Sequence, residues 1–183
     1  MIKLITSLNL IILLISCGSK INHEPKEVEY SNILLNEHNV DTSLIAFLPY
    51  ELSKNKIFKD ARQASLSKFE LNEIEILLIE CIEKYNLEQK GKFEKFDRRV
   101  IEEYNIDIDR STIDLKKYKR QYISVVNSYG QKEVWINCFC IPAIEYWKES
   151  IVNIDDGGNC FFNLKVNLSK GEFYDFNVNG PRI

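Results

Sequence analysis

The chain has 183 residues, 45% of them hydrophobic, which suits a single domain with a buried core. Its 24 basic and 27 acidic residues leave a net charge of −3. That balance lacks the basic excess by which a general nucleic-acid binder displaces counterions, so no nucleic-acid partner is expected.

In chain order, the first element is an export signal. Lys3 precedes an apolar run from Leu4 to Ile15 that is too short to span a bilayer. The run ends in Leu14-Ile15-Ser16-Cys17-Gly18. These residues resemble the lipobox of bacterial lipoproteins, in which a signal peptidase cuts before the cysteine and the thiol carries a diacylglycerol. The resemblance covers residues 1–18 alone. It implies a signal peptide over residues 1–16, lipidation of Cys17, and a membrane partner engaged through acyl chains. Gly18, where an aspartate would signal retention, implies a place at the outer membrane of the bacterial cell envelope. Residues 17–42 are polar and poorly periodic, with Pro25 and both histidines, His23 and His38, and read as a lipid-anchored tether. One globular domain is expected over residues 43–183.

Leu44–Phe58 is apolar in pieces interrupted by Pro49 and reads as an edge strand followed by a loop. The main helix is expected from Asn72, an N-cap with Glu75 three residues on. Ile74, Leu77, Leu78, Cys81, Ile82 and Tyr85 then share one face, opposite Glu73, Glu75, Glu80 and Glu83. Asn86 or Gly91 would end it. A second helix is expected from Lys92 to Tyr104, with Phe93, Phe96, Val100 and Tyr104 on one side. Lys116, Lys117, Lys119 and Arg120 form a basic run, read either as a strand edge guarded by lysines or as a seat for an anionic partner.

Four strands follow by period-two alternation: Gln121–Asn127, Glu133–Ile141, Asn159–Leu168 and Glu172–Val178. The inward set is Ile123 and Val125, then Val134, Ile136, Cys138 and Cys140, then Cys160, Phe162, Leu164, Val166 and Leu168, then Tyr174, Phe176 and Val178. Asn127-Ser128-Tyr129-Gly130 and Ser169-Lys170-Gly171 supply the hairpin turns, and Ile144–Val152 a short connecting helix. One amphipathic helix against a four-stranded antiparallel meander gives a two-layer α+β domain. In element order this resembles the cystatin-like and NTF2-like architectures, a likeness that carries no activity with it.

Once Cys17 is lipidated, Cys81, Cys138, Cys140 and Cys160 remain. Three states are open to them: a disulfide joining Cys160 to Cys138 or Cys140, a thiolate metal site, or simple packing. The spacing lacks the C-x-x-C pairs of structural zinc sites, and both histidines lie in the tether, so no metal, cofactor or histidine-based catalysis is expected. Asp155-Asp156-Gly157-Gly158-Asn159 reads as a turn, without the alternating oxygen ligands of a calcium loop. The outward sheet face carries Trp135, Asn137 and Phe139, then Phe161, Asn163, Lys165 and Asn167, then Phe173, Asp175 and Asn177. Aromatics among amides suit a binding face for a protein, peptide or glycan, with Trp135, Asn137, Phe139, Phe161, Asn163 and Asn177 as its residues. The alternative is that Leu44–Phe58 folds over this face and buries it. Two function classes stand: a non-catalytic binding module, and an enzyme using a carboxylate acid–base pair.

Overall fold

The structure, a computed structural model, describes residues 41–53, 56–95, 99, 103 and 111–180. The signal segment, Cys17, both histidines, and Phe96, Val100 and Tyr104 lie outside the described residues.

Helix α1 runs from Lys68 to Phe93. It starts one turn before the expected Asn72, because Ser67 and Glu70 form a reciprocal cap. Ser67 Oγ accepts from the Glu70 N–H at 3.2 Å, and the Glu70 carboxylate accepts from the Ser67 N–H at 2.8 Å. Leu66 and Leu71, flanking that cap, both pack into the core and fix the entry angle. Asn86 does not end the helix. Its amide clamps Ile113, donating to the Ile113 carbonyl at 2.9 Å and accepting from its N–H at 2.7 Å. Lys92 and Phe93, expected to open a second helix, are instead the last residues of α1.

Among the described residues six strands form one mostly antiparallel sheet: β1 Ile45–Phe47, β2 Arg62–Gln63, β3 Lys119–Val126, β4 Lys132–Phe139, β5 Phe161–Asn167 and β6 Glu172–Val178. β3 to β6 pair antiparallel in sequence order, and β1 (parallel) and β2 (antiparallel) share the free edge of β3. The sheet is thus wider than the four strands expected. At the β3–β4 turn, Asn127 Oδ1 accepts from the N–H groups of Tyr129 and Gln131, and Gly130 takes a φ of 76°.

The helix covers one face of the sheet. Ile74, Leu77, Leu78, Cys81 and Ile82 meet Tyr122, Val134, Ile136, Cys138, Phe162, Leu164 and Val166. Two expectations about facing fail here. On β3 the helix-facing residue is Tyr122, whereas Ile123 and Val125 lie on the opposite face, opposite Trp135 and Glu133 in the register. On β6 a register shift sits against Asn163–Lys165, and Asp175 adopts a φ of 51°. The extra residue inverts the alternation, so Phe173 turns inward and Tyr174 outward, while Phe176 and Val178 stay inward.

The second face is also covered. Ile123, Val125, Trp135, Phe139 and Phe161 lie under Ala46, Leu48, Tyr50, Phe58, Trp147 and Val152. Leu44–Phe58 forms only part of that cover. The rest comes from the β4–β5 connection, where a 3-10 turn at Glu145–Lys148 stands in place of the longer helix expected over Ile144–Val152.

Candidate functional site

Strand register sets four side-chain amides in a row across the second face. Gln121 pairs with Asn137, Asn137 with Asn163, and Asn163 with Asn177. The row divides into halves. Gln121 is fully buried, and its amide is saturated: Nε2 donates to the carbonyls of Trp147 and Ser150, and Oε1 accepts from Asn137 Nδ2 at 3.0 Å and the Val152 N–H at 2.9 Å. Asn137 Nδ2 also donates to the Val152 carbonyl at 2.8 Å. These two amides therefore pin residues 147–152 to the sheet. The other half differs. Asn163 is half-buried and Asn177 exposed, and neither side chain makes a hydrogen bond to another described residue.

Beside this second half lies a cavity of about 600 Å³. Trp135, Asn137, Phe161, Asn163 and Asn177 form its floor, Leu52, Ser53, Lys56 and Ile57 one wall, and Ile151–Asp155 another. Asn179 holds that second wall, donating from Nδ2 to the Ile154 and Asp156 carbonyls. Gly157, with a φ of 102°, leaves room for Phe161: a β-carbon there would stand 2.7 Å from the ring.

Of the six expected face residues, Trp135, Asn137, Phe139 and Phe161 are buried. Phe139 packs under Trp147 with ring centroids 6.0 Å apart and takes no part in the cavity. The open aromatic face is thus corrected to a partly roofed cavity floored by five of those six. Lys165, further along the face, pairs with Asp175 at 3.0 Å and lies over the rings of Phe58 and Tyr174. Glu133 is buried and accepts from Tyr174 Oη at 2.9 Å and Asn167 Nδ2 at 3.2 Å; burial of Tyr174, together with its bond to Glu133, pushes the tyrosine's ionisation up.

Cys140 and Cys160 are joined by a disulfide, which closes the connection whose middle forms the cavity wall. The register explains the choice of partner. Phe139 pairs with Phe161 and Cys138 with Phe162, so the next positions out are Cys140 and Cys160, and the Cys140 N–H donates to the Cys160 carbonyl at 3.0 Å. Cys81 and Cys138 remain as buried thiols under the helix. Burial pushes the Cys81 thiol up to about 12 and the Cys138 thiol higher still, so neither is a nucleophile at neutral pH. With two of the four sulfurs bonded to each other, a four-thiolate site is gone. Among the described residues no group of three or more His, Cys, Asp or Glu side chains is placed to hold a metal ion.

The basic run and the helix carboxylates are partly spent on structure. Glu75, expected on the solvated side of α1, is buried against the sheet, where it accepts from Tyr122 Oη at 2.7 Å and pairs with Arg120. It falls in line with Leu78 and Ile82 and so inside the apolar stripe. Burial opposes the Arg120 charge, but the Tyr122 oxygen and the Glu75 carboxylate more than offset it and keep the guanidinium protonated. Lys119 donates to the Pro142 carbonyl and lies over Trp147, while Lys117 makes only a weak, exposed contact with Asp114.

Sequence alternation was enough to gather Asn137, Asn163 and Asn177. Gln121 was missed because the parity of β3 was read from Ile123 and Val125. The walls carry no pattern that sequence reveals. No family model matches the chain, and no similar curated protein or solved structure is found for it.

Proposed function

We propose that this chain is a lipid-anchored protein of the bacterial cell envelope whose folded body is a non-catalytic binding module, with the cavity on the second sheet face as its ligand site. The observation that carries the reading is the pair of amides that bond no other described residue, Asn163 and Asn177, set beside Trp135 and Phe161 in a cavity of small-molecule size. In the same row Gln121 and Asn137 are engaged by residues 147–152, whereas Asn163 and Asn177 bond no other described residue, which leaves their amides open to a ligand in the cavity. The competing reading, an envelope enzyme with an acid–base pair of carboxylates, finds less support. Asp155 is the one carboxylate among the described lining residues, and an acid–base pair needs two.

The anchor belongs to the same proposal and rests on Leu14-Ile15-Ser16-Cys17-Gly18. No helix among the described residues is long and apolar enough to cross a membrane. Acyl chains on Cys17 would hold the domain, at the outer membrane by the rule read from Gly18, with residues 17–42 as tether. In overall architecture the body is proposed to belong with the cystatin-like or NTF2-like two-layer domains, on the strength of a helix packed against one face of a mostly antiparallel sheet. That likeness supports the fold and assigns no ligand.

Two experiments test the parts separately. Cys17→Ala should abolish incorporation of an acyl label and move the protein out of the membrane pellet. Label persisting in the variant would remove the anchor. For the cavity, the small-molecule fraction of an envelope extract should shift the side-chain amide NMR signals of Asn163 and Asn177 before any others. A spectrum that changes only at surfaces remote from the cavity would remove the site.

A further inference from the structure

We infer that the cavity takes a neutral, hydroxyl-rich ligand of one or two sugar residues, an inference that rests on reading the cavity as a binding site. Asn163 and Asn177 are cross-strand partners, which sets their β-carbons about 4.5–5.5 Å apart on one face. Each carboxamide offers two donor hydrogens and one acceptor oxygen, and neither is used by another described residue. Two such groups side by side match adjacent ring hydroxyls, each of which also donates once and accepts. The pairing is uncharged on both sides.

Charge argues for the same class. An anionic ligand calls for convergent cations, and a cationic one for carboxylates or a cage of ring faces. The described lining carries one lysine, Lys56, and one carboxylate, Asp155, both exposed, so neither sign is selected. Trp135 and Phe161 add the apolar part of the floor, against which the C–H face of a sugar ring would rest. The volume falls within the roughly 300–1,000 Å³ of small-molecule sites.

The test uses the full chain in detergent micelles and ligand-observed saturation-transfer NMR. The probes are N-acetylglucosamine, methyl β-glucoside and cellobiose as neutral sugars, glucuronate and glucosamine as charged ones, and trialanine. The neutral sugars should receive saturation in preference to the others, and Asn163→Ala/Asn177→Ala should weaken them at least tenfold while its circular dichroism matches the parent. Neutral sugars that bind equally well to the double variant would overturn the assignment of the site. Glucuronate, glucosamine or trialanine binding in their place, and lost in the double variant, would overturn the ligand class and leave the cavity as a binding site. If no probe binds while the envelope fraction still moves the Asn163 and Asn177 signals, the class again falls alone. If neither acts on those signals, both readings fall together.

Discussion

The two faces of the sheet are covered by different kinds of structure, and they are built differently in consequence. α1 satisfies its own backbone groups, so the face beneath it needs only an apolar stripe, with the Glu75–Arg120–Tyr122 cluster as its polar exception. The other face lies under irregular chain, whose buried N–H and C=O groups have no regular partners and must find them in side chains. Gln121 and Asn137 provide those partners for Trp147, Ser150 and Val152. A loop-covered face therefore carries amides for structural reasons, and Asn163 and Asn177 are the two in the row that hold none of the cover.

The largest expected effect breaks the helix-covered face. Glu75→Ala should cost about 3–5 kcal/mol in urea unfolding, because it leaves the Arg120 charge buried, with its Nε already lacking a partner. Replacing both charges, as in Glu75→Leu/Arg120→Met, should recover most of that loss. If the single substitution costs no more than the double, the pair is solvated and this face is less closed than its geometry indicates.

The loop-covered face should break almost as severely at Gln121. Gln121→Leu keeps the bulk but strands the Val152 N–H and the Trp147 and Ser150 carbonyls, at about 1–3 kcal/mol for each group left dry. Hydrogen exchange should accelerate through residues 147–154 while α1 stays protected. Uniform acceleration over both faces would show that the cover does not open as a unit.

Removing the disulfide tests the same cover from its ends. The bond closes a loop of 20 residues, for which loss of the cross-link is expected to cost about 3 kcal/mol. Cys140→Ser/Cys160→Ser should lower stability by that order. The thiols under the helix should behave in the opposite way, resisting alkylation by iodoacetamide at pH 8 while the protein is folded. Their folded ionisation is pushed up by burial, so the stability they contribute is intact below about pH 9, the unfolded thiol's range, and declines as pH rises toward the folded value of about 12 for Cys81. Native labelling of Cys81 at pH 8 would place it outside the core.

Much of this contrast is legible in the residues, and what is not has identifiable causes. Alternation found the faces of β4 and β5 because both are long and flanked on each side by paired strands, and there it failed only at Cys160, which precedes β5 and packs with the second face. It failed on β6 because Asp175 takes a left-handed conformation that aspartate adopts occasionally and that no local residue demands. On β3 it failed because both faces are apolar: Tyr122 on one side and Ile123 and Val125 on the other give no polar phase. Glu75 read as solvated since its partner, Arg120, is 45 residues away in the chain. The cavity was not legible, since two of its walls are irregular chain brought over the sheet by long-range contacts.

The smallest expected effect carries the most weight for function. Asn163→Ala and Asn177→Ala should each change stability by no more than about half a kcal/mol, since neither amide holds another described residue and both reach solvent. Asn137→Ala, one strand over in the same row, should cost clearly more, because Nδ2 is shared between Gln121 and the Val152 carbonyl and both would lose a buried partner. Thermal unfolding of the three single variants therefore separates amides that build the cover from amides that do not. A cost at Asn163 equal to that at Asn137 would mean that it too holds structure, and the row would then be one continuous scaffold with nothing left over for a ligand. A small cost at Asn163 and Asn177 would show that neither amide builds the cover, the condition that the proposed ligand site requires of both.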